Sequence, residues 1–162
     1  MTRRRDDDFA PLSARDVQER EGTGYPEPFA ARVKGRARRR LAAAFGLSNV
    51  GVNLTTLAPG AQSALMHRHS AAEEFIYILS GTPLLRTDAG AFRLVPGMCA
   101  GFPPNGVAHH LVNDTDAPVE YLEIGDNPSG DSASYPEDDL RAERDADGRW
   151  RFLRRDGRPS DE

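Results

Sequence analysis

Residues 60–81 read GAQSALMHRHSAAEEFIYILSG, and residues 97–113 read GMCAGFPPNGVAHHLVN. All four histidines of the 162-residue chain fall in these two stretches, as His67-Arg68-His69 and His109-His110. Alternate side chains of an extended strand share a face, so His67 and His69 project together. The turn Ser70-Ala71-Ala72 then opens a strand on which Glu74, Ile76 and Ile78 share one face, and Glu73, Phe75, Tyr77 and Leu79 the other. Glu74 heads an apolar inward row and is the candidate carboxylate. Glu73 is its competitor, because the facing depends on where the turn ends. On the later strand His109, Leu111 and Asn113 share a face, with His110 and Val112 opposite.

Outward from these stretches the pattern continues. Between about Leu47 and Asp126 lie SNVGVNLTTL, SALMHRH, EEFIYILS, PLLRT, AFRLV, MCAGF, AHHLVN and PVEYLEI, separated by Pro, Gly, Asn and Asp clusters. Short strands at such regular spacing predict an all-β sandwich or barrel. The reading divides the chain into an N-terminal arm (1–46), a barrel (47–126) and a C-terminal tail (127–162) packing on the barrel or a partner. RRRLAAAF in the arm reads as one helical turn at most. Gly81, Gly97 and Gly106 read as turn positions allowing positive φ.

Composition narrows the function classes. A net charge of −4 argues against general nucleic-acid affinity, and no apolar run approaches the ~20 residues of a membrane span. The local exception is Arg36-Ala37-Arg38-Arg39-Arg40, able to read phosphates but placed here as a solvated loop. MTRRRDDDFAPLSARD lacks the apolar core of a secretory signal, and the one cysteine, Cys99, excludes an internal disulfide. A cytoplasmic location follows as the expectation. Cys99 itself is expected to be a buried, inert small hydrophobe.

Two neighbouring imidazoles, a third from a distant strand and one carboxylate make a nest for one divalent transition metal: Zn, Mn, Fe or Ni. Imidazole suits the later first-row metals, and a carboxylate widens tolerance toward Mn and Fe. At this point the chain resembles the cupin superfamily. The first family motif appears as Gly60, His67, His69, Glu74 and Gly81, the second as Gly97, Pro104, Gly106, His109 and Asn113. The resemblance implies a jelly-roll β-barrel of two antiparallel sheets around a ligand cavity, with His67, His69, Glu74 and His109 as metal ligands. The longer pattern, including Tyr135-Pro136-Glu137-Asp138-Asp139-Leu140, resembles a bacterial single-domain group, some of whose members are labelled sugar-phosphate isomerases.

Three functions remain open. The first is isomerase or epimerase chemistry on a small oxygen-rich molecule, with Glu73, Glu74 or His110 assisting proton transfer; Glu74 and His110 are the catalytic candidates. The others are Fe-dependent dioxygenation and non-catalytic metabolite sensing. The strand FIYIL, apolar on both faces, needs a cover outside the cavity and favours a homodimer.

Overall fold

The structure, a computed structural model, describes residues 10–160; the first nine residues of the arm and the last two of the tail lie outside these. The central stretch forms β3 (Val50–Leu57), β4 (Arg68–His69), β5 (Glu74–Ser80), β6 (Leu84–Thr87), β7 (Gly90–Arg93), β8 (Cys99–Phe102), β9 (His109–Val112) and β10 (Val119–Asp126). Before them come β1 (Glu19–Glu21), β2 (Arg36–Arg40) and the single-turn helix α1 (Leu41–Ala44). After them come β11 (Ser132–Tyr135), β12 (Leu140–Arg144) and β13 (Trp150–Leu153).

One antiparallel sheet runs β1-β2-β3-β10-β5-β8. Two smaller ones, β13-β12-β11-β4 and β7-β6-β9, are linked by an isolated bridge between His67 and His109. Apolar side chains from both layers meet in a core of Leu57, Ile76, Ile78, Leu85, Leu111 and Tyr121. The alternation read for β5 holds: Ile76 and Ile78 are buried while Phe75, Tyr77 and Leu79 face out. This is the all-β architecture of antiparallel sheets expected from the turn spacing.

Two local readings change, and the tail gains detail. SALMHRH yields only the two-residue β4, because Ala64, Leu65 and Met66 are buried in succession and no pleat alternates there. Arg36–Arg40 is a strand, not a solvated loop: it pairs with β3 from Arg36↔Leu57 to Arg40↔Asn53. The tail adds three strands and supplies Ala133, Tyr135, Leu140 and Ala142 to a second core, which Val33 and Leu65 complete.

Turn chemistry explains two fixed points. At Gly81 φ is +77°, and an added Cβ would sit 2.7 Å from Val119 Cγ2, so a side chain there is excluded twice over. The other departs from expectation. Positive φ falls on Asn105 (56°), not on Gly106, whose missing Cβ instead lets the chain pass the Pro103 carbonyl at what would be 2.9 Å. Cys99, expected to be buried, is an exposed free thiol on β8.

Candidate metal centre

Glu74 sits at the start of β5, where its register partners are Phe102 on β8 and Gly125 on β10, with Gly51 of β3 beyond Gly125. Two glycines in that row leave the sheet floor beside the carboxylate open. His67 and His69 flank the outward Arg68 on the facing layer. His69 is held by β11 through Ala133, and His67 by the bridge to His109. The flat ring of Phe102 stacks on His109 at 3.5 Å and 4°, which fixes the third imidazole.

Glu74 Oε2 lies 2.8 Å from His109 Nε2, 3.3 Å from His67 Nε2 and 3.8 Å from His69 Nε2. The donor atoms of His67, His69 and Glu74 all fall within 4.8 Å of one another, and His109 joins the group through its contact with the carboxylate. Glu73, by contrast, is exposed, its backbone N–H donating to Asp126 Oδ1. The inward carboxylate is Glu74.

The opposite ring nitrogens decide what the inner ones can do. His67 Nδ1 donates to the Leu65 carbonyl at 2.8 Å, and His69 Nδ1 to Asp131 Oδ2 at 2.6 Å. His109 Nδ1 faces the Val107 carbonyl at 3.4 Å. Carbonyl and carboxylate oxygens only accept, so in a neutral ring each Nε2 carries a lone pair. Those lone pairs converge on Glu74 Oε2, a buried oxygen without a well-aligned hydrogen-bond donor. Lone pairs turned toward one another at 3–4 Å call for a positive charge between them, and three imidazoles with one carboxylate suit a first-row divalent ion. The residues present fit such an ion.

Without an ion between them, the carboxylate and the imidazoles stabilise each other's charged forms. Burial would raise the Glu74 carboxyl, but the imidazoles of His109 and His67 outweigh it and hold the group well below the usual carboxylate range. Burial would lower His67; the Glu74 carboxylate overrides it and moves the ring upward. Asp131, from the tail, was not singled out in the sequence, where it is one acid among many. Burial works against its charge, yet the Ala71 and Ala72 N–H groups and His69 keep it below the ordinary range. Carboxylates that orient metal-ligating imidazoles occupy this kind of position.

His110 is not brought to the site. It is on the opposite face of β9 from His109, its Nδ1 bonded to the Ala64 carbonyl at 2.8 Å, and burial depresses its pKa. Asn113 is a strand-end clamp: its Nδ2 donates to the carbonyls of Leu57, Ala58 and Ala117. Beside the centre opens a cavity of about 960 Å³, whose wall includes Tyr25, Glu123, Tyr135 and Trp150. The Trp150 ring, from β13, lies 5.8 Å from that of His69.

No helix among the described residues is long and apolar enough to cross a membrane. The Cupin domain family model matches residues 53–125. A cupin-superfamily sugar phosphate isomerase from Silicibacter pomeroyi is 38% identical, covers 94% of this chain and 99% of its own, and superposes with a TM-score of 0.88. A protein from Acidithiobacillus ferrooxidans, whose name proposes sugar phosphate isomerase activity, is 28% identical over 89% of this chain and 91% of its own, with a TM-score of 0.77. The polyketide cyclase RemF from Streptomyces resistomycificus, at 21% identity, covers 73% of this chain and 79% of its own with a TM-score of 0.61, a likeness of fold alone. No curated protein matches the chain. With both histidine motifs in place and near-complete coverage by a 38%-identical relative, the chain belongs to the cupin superfamily.

Proposed function

We propose that this cupin is a metal-dependent isomerase acting on a small oxygen-rich metabolite, with His67, His69, Glu74 and His109 as the metal ligands. The observation that carries the reading is the set of three anchored imidazoles whose free Nε2 atoms meet at the Glu74 carboxylate. The names of two similar proteins, both of which mention sugar phosphate isomerase, agree with it. A divalent ion bound there supplies a Lewis acid for a carbonyl or enediolate oxygen.

The chain's own groups do the rest. Asp131 keeps His69 in the ligating tautomer, and Leu65 does the same for His67. With Glu74 engaged as a ligand and His110 turned away, proton transfer falls to the cavity wall. Glu123 is the group we assign to it. It faces inward on β10 in register with Ile76, one inward row from Glu74, where Thr55 Oγ1 lies 3.4 Å from its carboxylate. In the assembly we propose, two copies pair across the outer face of β5, where Phe75, Tyr77 and Leu79 are 40%, 39% and 42% exposed in the single chain.

Elemental analysis of untagged protein tests the centre. We expect near one equivalent of metal in the wild type and little in His67→Ala or His109→Ala. Incubation with aldose and ketose substrates in deuterated water tests the reaction, with exchange into the carbon beside the carbonyl expected. Glu123→Gln should keep the metal and lose the exchange. Oxygen consumption without exchange would transfer the protein to dioxygenation.

A further inference from the structure

The basic run of β2 enters the cavity. Arg36, Arg38 and Arg40 alternate along the strand, and all three line the wall that the metal centre shares. Ala37 and Arg39 face away; Arg39 pairs with Glu19 and donates to the Val17 carbonyl. Each inward arginine has its register row across the sheet. Arg38 continues through Thr55 and Tyr121 to Ile78, and Arg40 through Asn53 and Glu123 to Ile76. Glu74 lies one row further along β5.

These guanidinium groups are underused by the fold. Arg36 is only 8% exposed and spends one nitrogen on the Ser63 carbonyl, while its Nε is buried without a partner. Arg38 is half-buried and Arg40 exposed, and neither guanidinium makes a hydrogen bond or ion pair among the described residues. Burial and the neighbouring charge of Arg36 both work against the Arg38 cation, with the Glu123 carboxylate the largest offset. Arg36 and Arg38, two like charges drawn out of water along one strand, are costly unless an anion shares the space, and Arg40 stands exposed in the same row. Guanidinium groups present several N–H donors in a planar fork that matches phosphate oxygens.

We infer that Arg36, Arg38 and Arg40 form a phosphate-binding wall that holds the anionic end of the substrate, a phosphate monoester, while its oxygen-rich end reaches the His67, His69, Glu74 and His109 centre. This deepens the isomerase reading and rests on it for the identity of the second end. Strands β3 and β10 separate β2 from β5, so the two walls stand about 14–15 Å apart at the usual strand spacing. Arginine side chains reaching from one side and the ligands from the other reduce that gap to a span that a short carbon chain can bridge. The wall therefore sets specificity by requiring a charged terminus at a fixed distance from the reacting atoms.

Calorimetric titration with inorganic phosphate is the direct test, run on metal-loaded and chelator-treated protein. Wild type should bind phosphate in both states, and Arg38→Gln/Arg40→Gln should weaken binding about tenfold or more, since each change removes a charged donor to the anion. Arg38→Lys/Arg40→Lys should fall between, keeping charge but losing the fork. Arg93→Gln, which removes a positive charge paired with Asp114 outside the cavity, should bind as wild type does. Binding within twofold of wild type in the double glutamine variant, no phosphate binding by wild type, or equal competition by acetate overturns the wall. Metal analysis of the same samples separates the two ideas. Loss of the wall with the metal retained leaves the isomerase centre intact, whereas a wild type that binds phosphate but takes up no metal when metal is supplied removes the centre and leaves the wall.

Discussion

The central strands and the flanking segments follow different rules. In β5, apolar residues on one face and the carboxylate at its start make burial and chemistry readable from alternation alone. In β2 the inward positions are the arginines Arg36 and Arg38, without apolar rhythm, and in β11 the alternation of buried Ala133 and Tyr135 spans only four residues. Yet the flanks complete the site: Asp131 orients His69, Trp150 stands over it, and β2 supplies three arginines. The centre provides the donors and the flanks build the room around them. A barrel stripped of arm and tail would present the same ligands to open water.

The sharpest break in this comparison is at Glu74. Glu74→Ala leaves three neutral imidazoles with no anion to offset a dication, and we expect metal content to fall below detection by elemental analysis while the barrel stays folded by circular dichroism. Next comes a test of whether the tail is structural. Leu140 is 1% exposed in the second core, and Leu140→Ala should cost about 2–5 kcal/mol in urea unfolding, as buried leucine truncations do. An effect under about 0.5 kcal/mol, the range of ordinary surface changes, would return the tail to an appendage.

Legibility in the sequence followed the same division. The eight central strands, a carboxylate at Glu74 or its competitor Glu73, and the pairing of His67 with His69 came from period-two alternation and turn residues, signals that local sterics impose. Arg36–Arg40 was misplaced because arginine carries no strand rhythm and its burial depends on a cavity built by distant strands. Asp131 was invisible for a related reason: its role comes from contact with His69, 62 positions away, and nothing in NPSGDSAS sets it apart. His110 shows the converse. Adjacency to His109 suggested chemistry, but neighbours on a strand point to opposite faces.

Asp131 offers a finer measurement. Asp131→Asn keeps the side chain's shape and removes the charge that fixes the His69 tautomer. Loss of such an outer carboxylate typically costs 10–100-fold in metal affinity, so competition with a chromophoric chelator should show a drop of about that size. Affinity equal to wild type would mean that the tail does not tune the centre.

The smallest effect on the single chain is expected on the outer face of β5, where we proposed that a second copy packs. Tyr77 is 39% exposed between Phe75 and Leu79, so Tyr77→Ser removes little that the isolated barrel uses, and its own stability should change by no more than about 0.5 kcal/mol. Metal content should be unchanged, because Tyr77 points away from Glu74 across the sheet. Association should respond instead. Sedimentation velocity is expected to show a dimer for the wild type and a shift toward monomer for the variant at the same concentration, since aromatic anchors at the centre of an interface carry a disproportionate share of its energy. A wild type that sediments as a monomer at all concentrations would leave this apolar face without the partner assigned to it.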